Sequence, residues 1–277
     1  MGKLRMFHAL GFTGLSLATW LAAGCGGEVD DVAEQSSALE AENALSANAL
    51  SANALSANAL SANALSANAL SANALSANAL TATALRDPLA RQFLKYVVSC
   101  ALPDDANVTV KVDQQSYTFV GQLGLAPQWG TSNGSCDRSC QRWVSACVLA
   151  RVDYAGVERL ISLRGDPRAL RTTPQELSQY PVREATYYGN LFGEDHQRYL
   201  CLSPGLTSDE RVCGPSLASC PMTVMGSCAK VCDDMGRLGS FSECATPKTP
   251  SGSGRGSRDG NHDDGIIAET ITVFLPR

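Results

Sequence analysis

Histidine is nearly missing from this chain, and several familiar chemical signatures are missing with it. Of three histidines, only His196 and His262 lie beyond residue 24. No Cys-x-x-Cys occurs, so a structural zinc site has no obvious ligand set. Neither Gly-x-Ser-x-Gly nor His-Glu-x-x-His is present, which removes the usual marks of a serine hydrolase and a zinc protease. Basic runs are absent too, so nucleic-acid binding has no support. No apolar run reaches the about 20 residues that a membrane-spanning helix needs. Residues 43–85 carry no charge of either sign.

What is present begins with an export signal. Lys3 and Arg5 precede an uncharged apolar stretch, Ala9 to Ala23, that ends in small residues, the pattern of a cleaved signal peptide. The run Leu21-Ala22-Ala23-Gly24-Cys25 resembles the lipobox of bacterial lipoproteins. That resemblance implies a signal peptide over 1–24 and lipid attachment at Cys25, with the membrane as a partner through that lipid alone. Gly26, rather than Asp, follows the cysteine, which favours the outer membrane or cell surface of a bacterial envelope over retention at the inner membrane.

Residues 25–42 form an acidic leader holding Glu28, Asp30, Asp31, Glu34, Glu40 and Glu42. Asn-Ala-Leu-Ser-Ala then starts at Asn43 and recurs every five residues, its eighth copy beginning at Asn78. Five residues advance a helix by about 140°, so Leu45, Leu50 and Leu55 make no stripe. A four-sided β-helix is the ordered alternative, but the pentads would close only about two coils. The favoured reading of 43–85 is a low-complexity spacer that reaches about 35 Å as a coil.

Arg86 to Arg277 has the composition of a folded domain. Two of the 22 Lys and Arg and six of the 27 acids lie upstream, so the domain is nearly neutral, with 20 against 21. Cys100, Cys136, Cys140, Cys147, Cys201, Cys213, Cys220, Cys228, Cys232 and Cys244 all fall here. An even number in an exported chain reads as five disulfides of unknown pairing. Gly-Ser precedes both Cys136-x-x-x-Cys140 and Cys228-x-x-x-Cys232, and serine there is an N-cap candidate. With both cysteines of each pair in a first helical turn, their Cβ atoms sit about 5–6 Å apart, too far for a bridge of about 3.8 Å. Neither pair is therefore expected to close on itself. One option is that the two helices face each other and are zipped by two bridges.

The pattern predicts an α+β domain: disulfide-rich, with β-hairpins and at least three short helices. Asp87-Pro88 opens a helix whose Leu89, Phe93, Tyr96, Val97 and Cys100 mark one face. Val108 to Val112 and Tyr117 to Val120 alternate as a hairpin. Cys136 to Leu149 and Cys228 to Met235 read as helices, and Thr173 to Glu176 as a capping box. Strands are expected over Val157 to Leu163, Val182 to Leu191, Tyr199 to Leu202 and Ile266 to Leu275. Lys248 to Gly265 reads as a loop.

Chemistry has few candidates. His196, beside Glu194 and Asp195, has the make-up of a general base but sits in an expected turn. Asp259, Asn261 and Asp263 occupy positions 1, 3 and 5 of a calcium-like loop. The turn glycine, Gly265, falls at position 7, and Thr270 stands at position 12 where a glutamate belongs. Trp129, Tyr187, Tyr188 and Phe192 serve either as a binding face or as core. No catalytic residue, resident metal or cofactor is assigned. The first reading is a non-catalytic binding or structural module with an envelope glycan or protein as ligand. The alternative is an exported hydrolase of unrecognised family.

The lipobox, the Asn-Ala-Leu pentads and three stretches of the domain together resemble uncharacterised cysteine-rich lipoproteins of myxobacteria. Those stretches are Lys95 to Pro103, Trp143 to Cys147 and Tyr188 to Phe192. The resemblance spans nearly the whole chain and implies no activity and no site.

Overall fold

The structure, a computed structural model, describes residues 45–48, 50–51, 84–131, 133–193, 195–232, 237–238, 241–242 and 268–277. The signal segment, Cys25, the acidic leader, Cys244, the loop with Asp259, Asn261 and Asp263, and most of the repeat lie outside them.

Two pieces of the repeat, β1 (Leu45–Asn48) and β2 (Leu50–Ser51), pair with the domain. Leu85, from the degenerate unit that ends the repeat, is fully buried in the core, so that core begins one residue before the expected boundary at 86. Helix α1 (Pro88–Ala101) starts as its sequence dictates. The Asp87 side chain accepts from the Leu89 N–H, and Pro88 occupies the first turn, where it forfeits no hydrogen bond. Its apolar stripe, including Phe93, Val97 and Cys100, is buried.

The hairpin follows, β3 (Asn107–Val112) and β4 (Gln115–Val120). Its two-residue turn puts Asp113 and Gln114 at positive φ, the backbone that matches strand twist. Gly121 ends β4 against Pro103, and a Cβ there would lie 2.1 Å from the Pro103 carbonyl oxygen.

Helix α2 (Arg138–Ala150) begins two residues later than expected. Asp137, not Ser135, is its cap, accepting from Cys140 N–H at 2.8 Å. Cys136 therefore stands outside the helix and is free of helical spacing. It bonds Cys140, with Cα atoms 5.2 Å apart, correcting the expectation that this pair cannot bridge itself. The facing-helix zipper is overturned with it.

A six-stranded sheet organises the remainder. After β5 (Val152–Asp153), its strands are β6 (Arg159–Arg164), β7 (Val182–Tyr188), β8 (Tyr199–Leu202), β9 (Thr223–Ser227) and, in the middle, a strand from the far end of the sequence. With β1 on the outside, the order is β1, β6, Ile271–Leu275, β7, β8, β9, antiparallel except between β8 and β9. Helix α3 (Pro174–Gln179) keeps half of its capping box. The Thr173 hydroxyl accepts from the Glu176 N–H, but the Glu176 carboxylate turns inward and accepts from Ser162 at 2.6 Å. Helix α4 (Glu210–Cys213) and the single-turn α5 (Cys228–Val231) are the remaining α-helices among the described residues. The latter is shorter than the expected Cys228 to Met235. A further two-stranded pair is β10 (Arg237–Leu238) with β11 (Phe241–Ser242), and β12 is Ile271–Leu275.

Helix α2 packs on β7 and β12, α1 packs on α2, and the hairpin packs on α1, all around one core. Disulfides join Cys100 of α1 to Cys147 of α2, Cys201 of β8 to Cys228 of α5, and Cys213 to Cys220. Cys232 is disulfide-bonded as well; its partner lies outside the described residues. The expected α+β architecture and oxidised cysteines are thus present. Disulfides persist in oxidising, extracytoplasmic compartments, and no described helix is long and apolar enough to cross a membrane.

Candidate functional site

Residues four apart share a helix face, and α1 places Arg91, Lys95 and Ser99 on one flank. Opposite them runs the backbone of Tyr117 to Gln122. Together they wall an open groove of about 560 Å³. Its lining includes two cations, Arg91 and Lys95, and no carboxylate, in a chain where acids outnumber bases. The Arg91 guanidinium stacks 4.8 Å from the Tyr117 ring and donates to the carbonyls of Leu85 and Arg86 at 2.6 and 2.8 Å. Those contacts fix it at one end of the groove.

The other end rests on a third cation. Arg151, directly after α2, is 1% exposed. It donates to Ser99 Oγ at 2.6 Å and to Gln122 Oε1 at 3.0 Å, and Ser99 donates to the same Oε1 at 3.1 Å. Its Nε is buried without a partner. No carboxylate among the described residues pairs with it. Burial lowers its pKa to about 10, so the guanidinium stays charged at neutral pH. A guanidinium only donates, so Gln122 must turn its oxygen toward Arg151. The amide Nε2 remains a donor, and Gln122 itself lines the groove.

A second buried cluster has the opposite character. Arg211 of α4 donates to Glu184 at 2.5 Å, to Tyr187 Oη at 2.9 Å, and to the carbonyls of Ala150 and Val152 at 3.1 and 2.6 Å. It thereby satisfies a carbonyl at the end of α2. Tyr187 donates to Asp209 at 2.6 Å, and Asp209 caps α4 through Val212 N–H. Burial and then the charge of Glu184 push the Asp209 carboxyl up to about 6. Burial also holds the Tyr187 phenol well above its ordinary range. For Arg211, burial opposes the charge, but the attraction of Glu184, Tyr187 and Asp209 outweighs it and raises the pKa. Shifted acids often mark catalytic sites. None of these four groups lines the groove or a second cavity beside Cys220. With every member bonded inside the fold, the cluster is an internal brace.

The candidates read from sequence scatter. His196 sits at positive φ, its Nδ1 2.7 Å from the Leu191 carbonyl oxygen, an arrangement that requires the proton on Nδ1. It lines neither cavity, and its neighbour Glu194 lies outside the described residues. Trp129, Tyr187, Tyr188 and Phe192 are each at most 1% exposed. They are core rather than a binding face, with Trp129 edge-on to Phe192 at 5.5 Å. The sulfurs of Cys201, Cys228 and Cys232 gather within 4.8 Å. All three are in disulfides, so the thiolates a metal would need are absent. The second cavity, about 790 Å³ beside Cys220 and Leu217, has no charged residue in its lining.

Sequence reasoning did not single out Arg91, Gln122 or Arg151. The one signal available was the polar flank of α1 at 91, 95 and 99. No family model, curated protein or solved structure matches the chain.

Proposed function

We propose that the chain is a non-catalytic binding module of the bacterial envelope, held to a membrane by lipid on Cys25. It takes its ligand in the groove between α1 and β4. The observation that carries the reading is the cationic groove above Arg151, a buried charge with no acid beside it among the described residues. A buried unpaired charge is costly, and a ligand anion is the missing counter-charge. The disulfides suit an exported location, and the lipobox-like run before Cys25 supports the anchor. Gly26 in place of Asp after Cys25 supports the outer membrane or cell surface as its address.

A pull-down tests it. The mature chain with Cys25→Ser, disulfides intact, is exposed to solubilised envelope fractions of the source bacterium. Specific retention of one protein or glycan, weakened by Lys95→Glu, is the expected result. Retention of nothing would sink the reading. The anchor is tested separately: an alkyne fatty acid fed to cells labels the wild type and not Cys25→Ser, whereas equal labelling removes the anchor.

A further inference from the structure

Strand β4 is the edge of a two-stranded sheet. Next to a two-residue turn the flanking residues form a hydrogen-bonded pair, and such pairs alternate along the ladder. Val112 with Gln115 is the first, followed by Val110 with Tyr117 and Val108 with Phe119. The Gly121 N–H bonds Ala106 O at 2.8 Å and continues the same alternation. The N–H and C=O groups of Ser116, Thr118 and Val120 therefore point away from β3.

Where they point is shown one step further on. The Gln122 N–H, of the same parity, donates to Leu102 O at 2.7 Å, just beyond the end of α1, and Pro103 makes an isolated bridge to Gln122. The outer edge of β4 thus already accepts one residue of neighbouring backbone. The ladder then stops: Asn107 and Thr109 of β3 face Val120 and Thr118 on the inner side, but among the described residues no backbone bonds the outer edge of Val120 or Thr118. Both line the groove. Native edge strands are usually blunted by charge, proline or a bulge. Gln-Ser-Tyr-Thr-Phe-Val has no charge and no proline, and Val120 is 58% exposed.

We infer that the groove binds an extended acidic peptide, which adds a strand to the open edge of β4 and sets its carboxylates against Lys95 and Arg91. This rests on the binding-module reading and names the ligand class. Backbone groups repeating every second residue match another peptide backbone, the usual logic of strand addition. The stretch Tyr117 to Gln122 extends about 17 Å, room for four or five extended residues. Charge selects among peptides: Lys95 and Arg91 flank the groove, Gln122 offers an amide donor at its end, and Arg151 lies beneath. A lysine-rich strand would be repelled.

The test is fluorescence anisotropy with a labelled octapeptide of alternating Glu and Thr, on the mature Cys25→Ser chain with disulfides intact. Saturable binding is expected. It weakens about tenfold or more in Lys95→Glu, which alters only an exposed side chain. It also weakens with added salt and is lost when alternate peptide nitrogens are methylated. The Lys-Thr peptide does not bind, and an oligogalacturonate of equal charge does not displace the acidic peptide. Absence of saturable binding, indifference to Lys95→Glu, indifference to N-methylation, or displacement by the oligosaccharide each overturns the inference. Failure here separates from failure of the broader reading. Envelope retention that ignores Lys95→Glu would leave a binding module with a different site, whereas no retention at all removes both.

Discussion

Two buried arginines, Arg151 directly after α2 and Arg211 within α4, have opposite surroundings. Arg211 is held by Glu184, Tyr187 and two backbone carbonyls, with Asp209 bonded to Tyr187. Arg151 has a hydroxyl, an amide oxygen and the Tyr96 ring at 6.0 Å. The first cluster is balanced inside the fold; the second leaves a positive charge under an open groove. Burial pushes down the pKa of both, and only Arg211 has the acids to reverse it. The difference teaches that a buried cation alone marks no site; what marks one is a missing counter-charge beside an opening.

Arg211→Met is the largest expected break in that comparison. It leaves Glu184 and Asp209 buried without their cation, a loss of about 3–5 kcal/mol readable by urea unfolding with disulfides intact. A loss under about 1 kcal/mol would show that the cluster braces nothing. Next comes removal of the Cys100–Cys147 bridge, which ties the groove helix to the helix that leads into Arg151. The double alanine variant should cost about 2–4 kcal/mol. The same change at Cys136 and Cys140, four residues apart, should cost clearly less because the loop it closes is short. Equal losses would contradict the loop-closure argument.

Third is a pH effect confined to the Arg211 cluster. The Asp209 carboxyl holds its proton to about pH 6 in the fold, against about 3.8 when unfolded. The folded state therefore binds more protons between those values, and stability falls as pH rises through that window. The drop is about 2–3 kcal/mol, since each pKa unit is worth about 1.4. Asp209→Asn keeps an oxygen for Val212 N–H and should flatten the curve between pH 4 and 6. An unchanged curve would assign the effect elsewhere. The smallest expected change is Arg151→Met. Ser99 and Gln122 remain bonded to each other, and the desolvation of an unpaired cation is relieved. Stability should move by less than about 1 kcal/mol in either direction; a loss above about 2 would make Arg151 structural rather than a charge kept for a ligand.

Local signals were readable and long-range ones were not. Asp87-Pro88, the alternation of Val108, Val110 and Val112, and Thr173 before Pro174 each act within a few residues, and each built the element it announced. The two Gly-Ser-Cys-x-x-x-Cys runs look alike, yet Cys136 closes locally and Cys228 reaches Cys201. A single neighbour decides this: Asp137 caps α2 after Cys136, whereas Ser227 stands at the cap position before Cys228, so only the second cysteine lies within a helix. Arg151, directly after a helix, reads as an ordinary solvent-facing cation near the C-terminal dipole. Its burial depends on Ser99 and Gln122, brought from 52 and 29 residues away, and no short window contains that information. The groove was illegible for the same reason, since Arg91 reaches Tyr117 and Ser99 reaches Gln122 only once the hairpin folds back on α1.

Strand β12 carries a consequence for how the protein is made. It lies between β6 and β7 and contributes Ile271 and Val273 to the core, although more than eighty residues separate it from β7. Until Ile271–Leu275 has emerged, β6 and β7 have no partner between them and the sheet is two fragments. Closing the sheet then waits for β12 rather than proceeding segment by segment. A product truncated before β12 leaves one open edge on β6 and one on β7 for proteases to find.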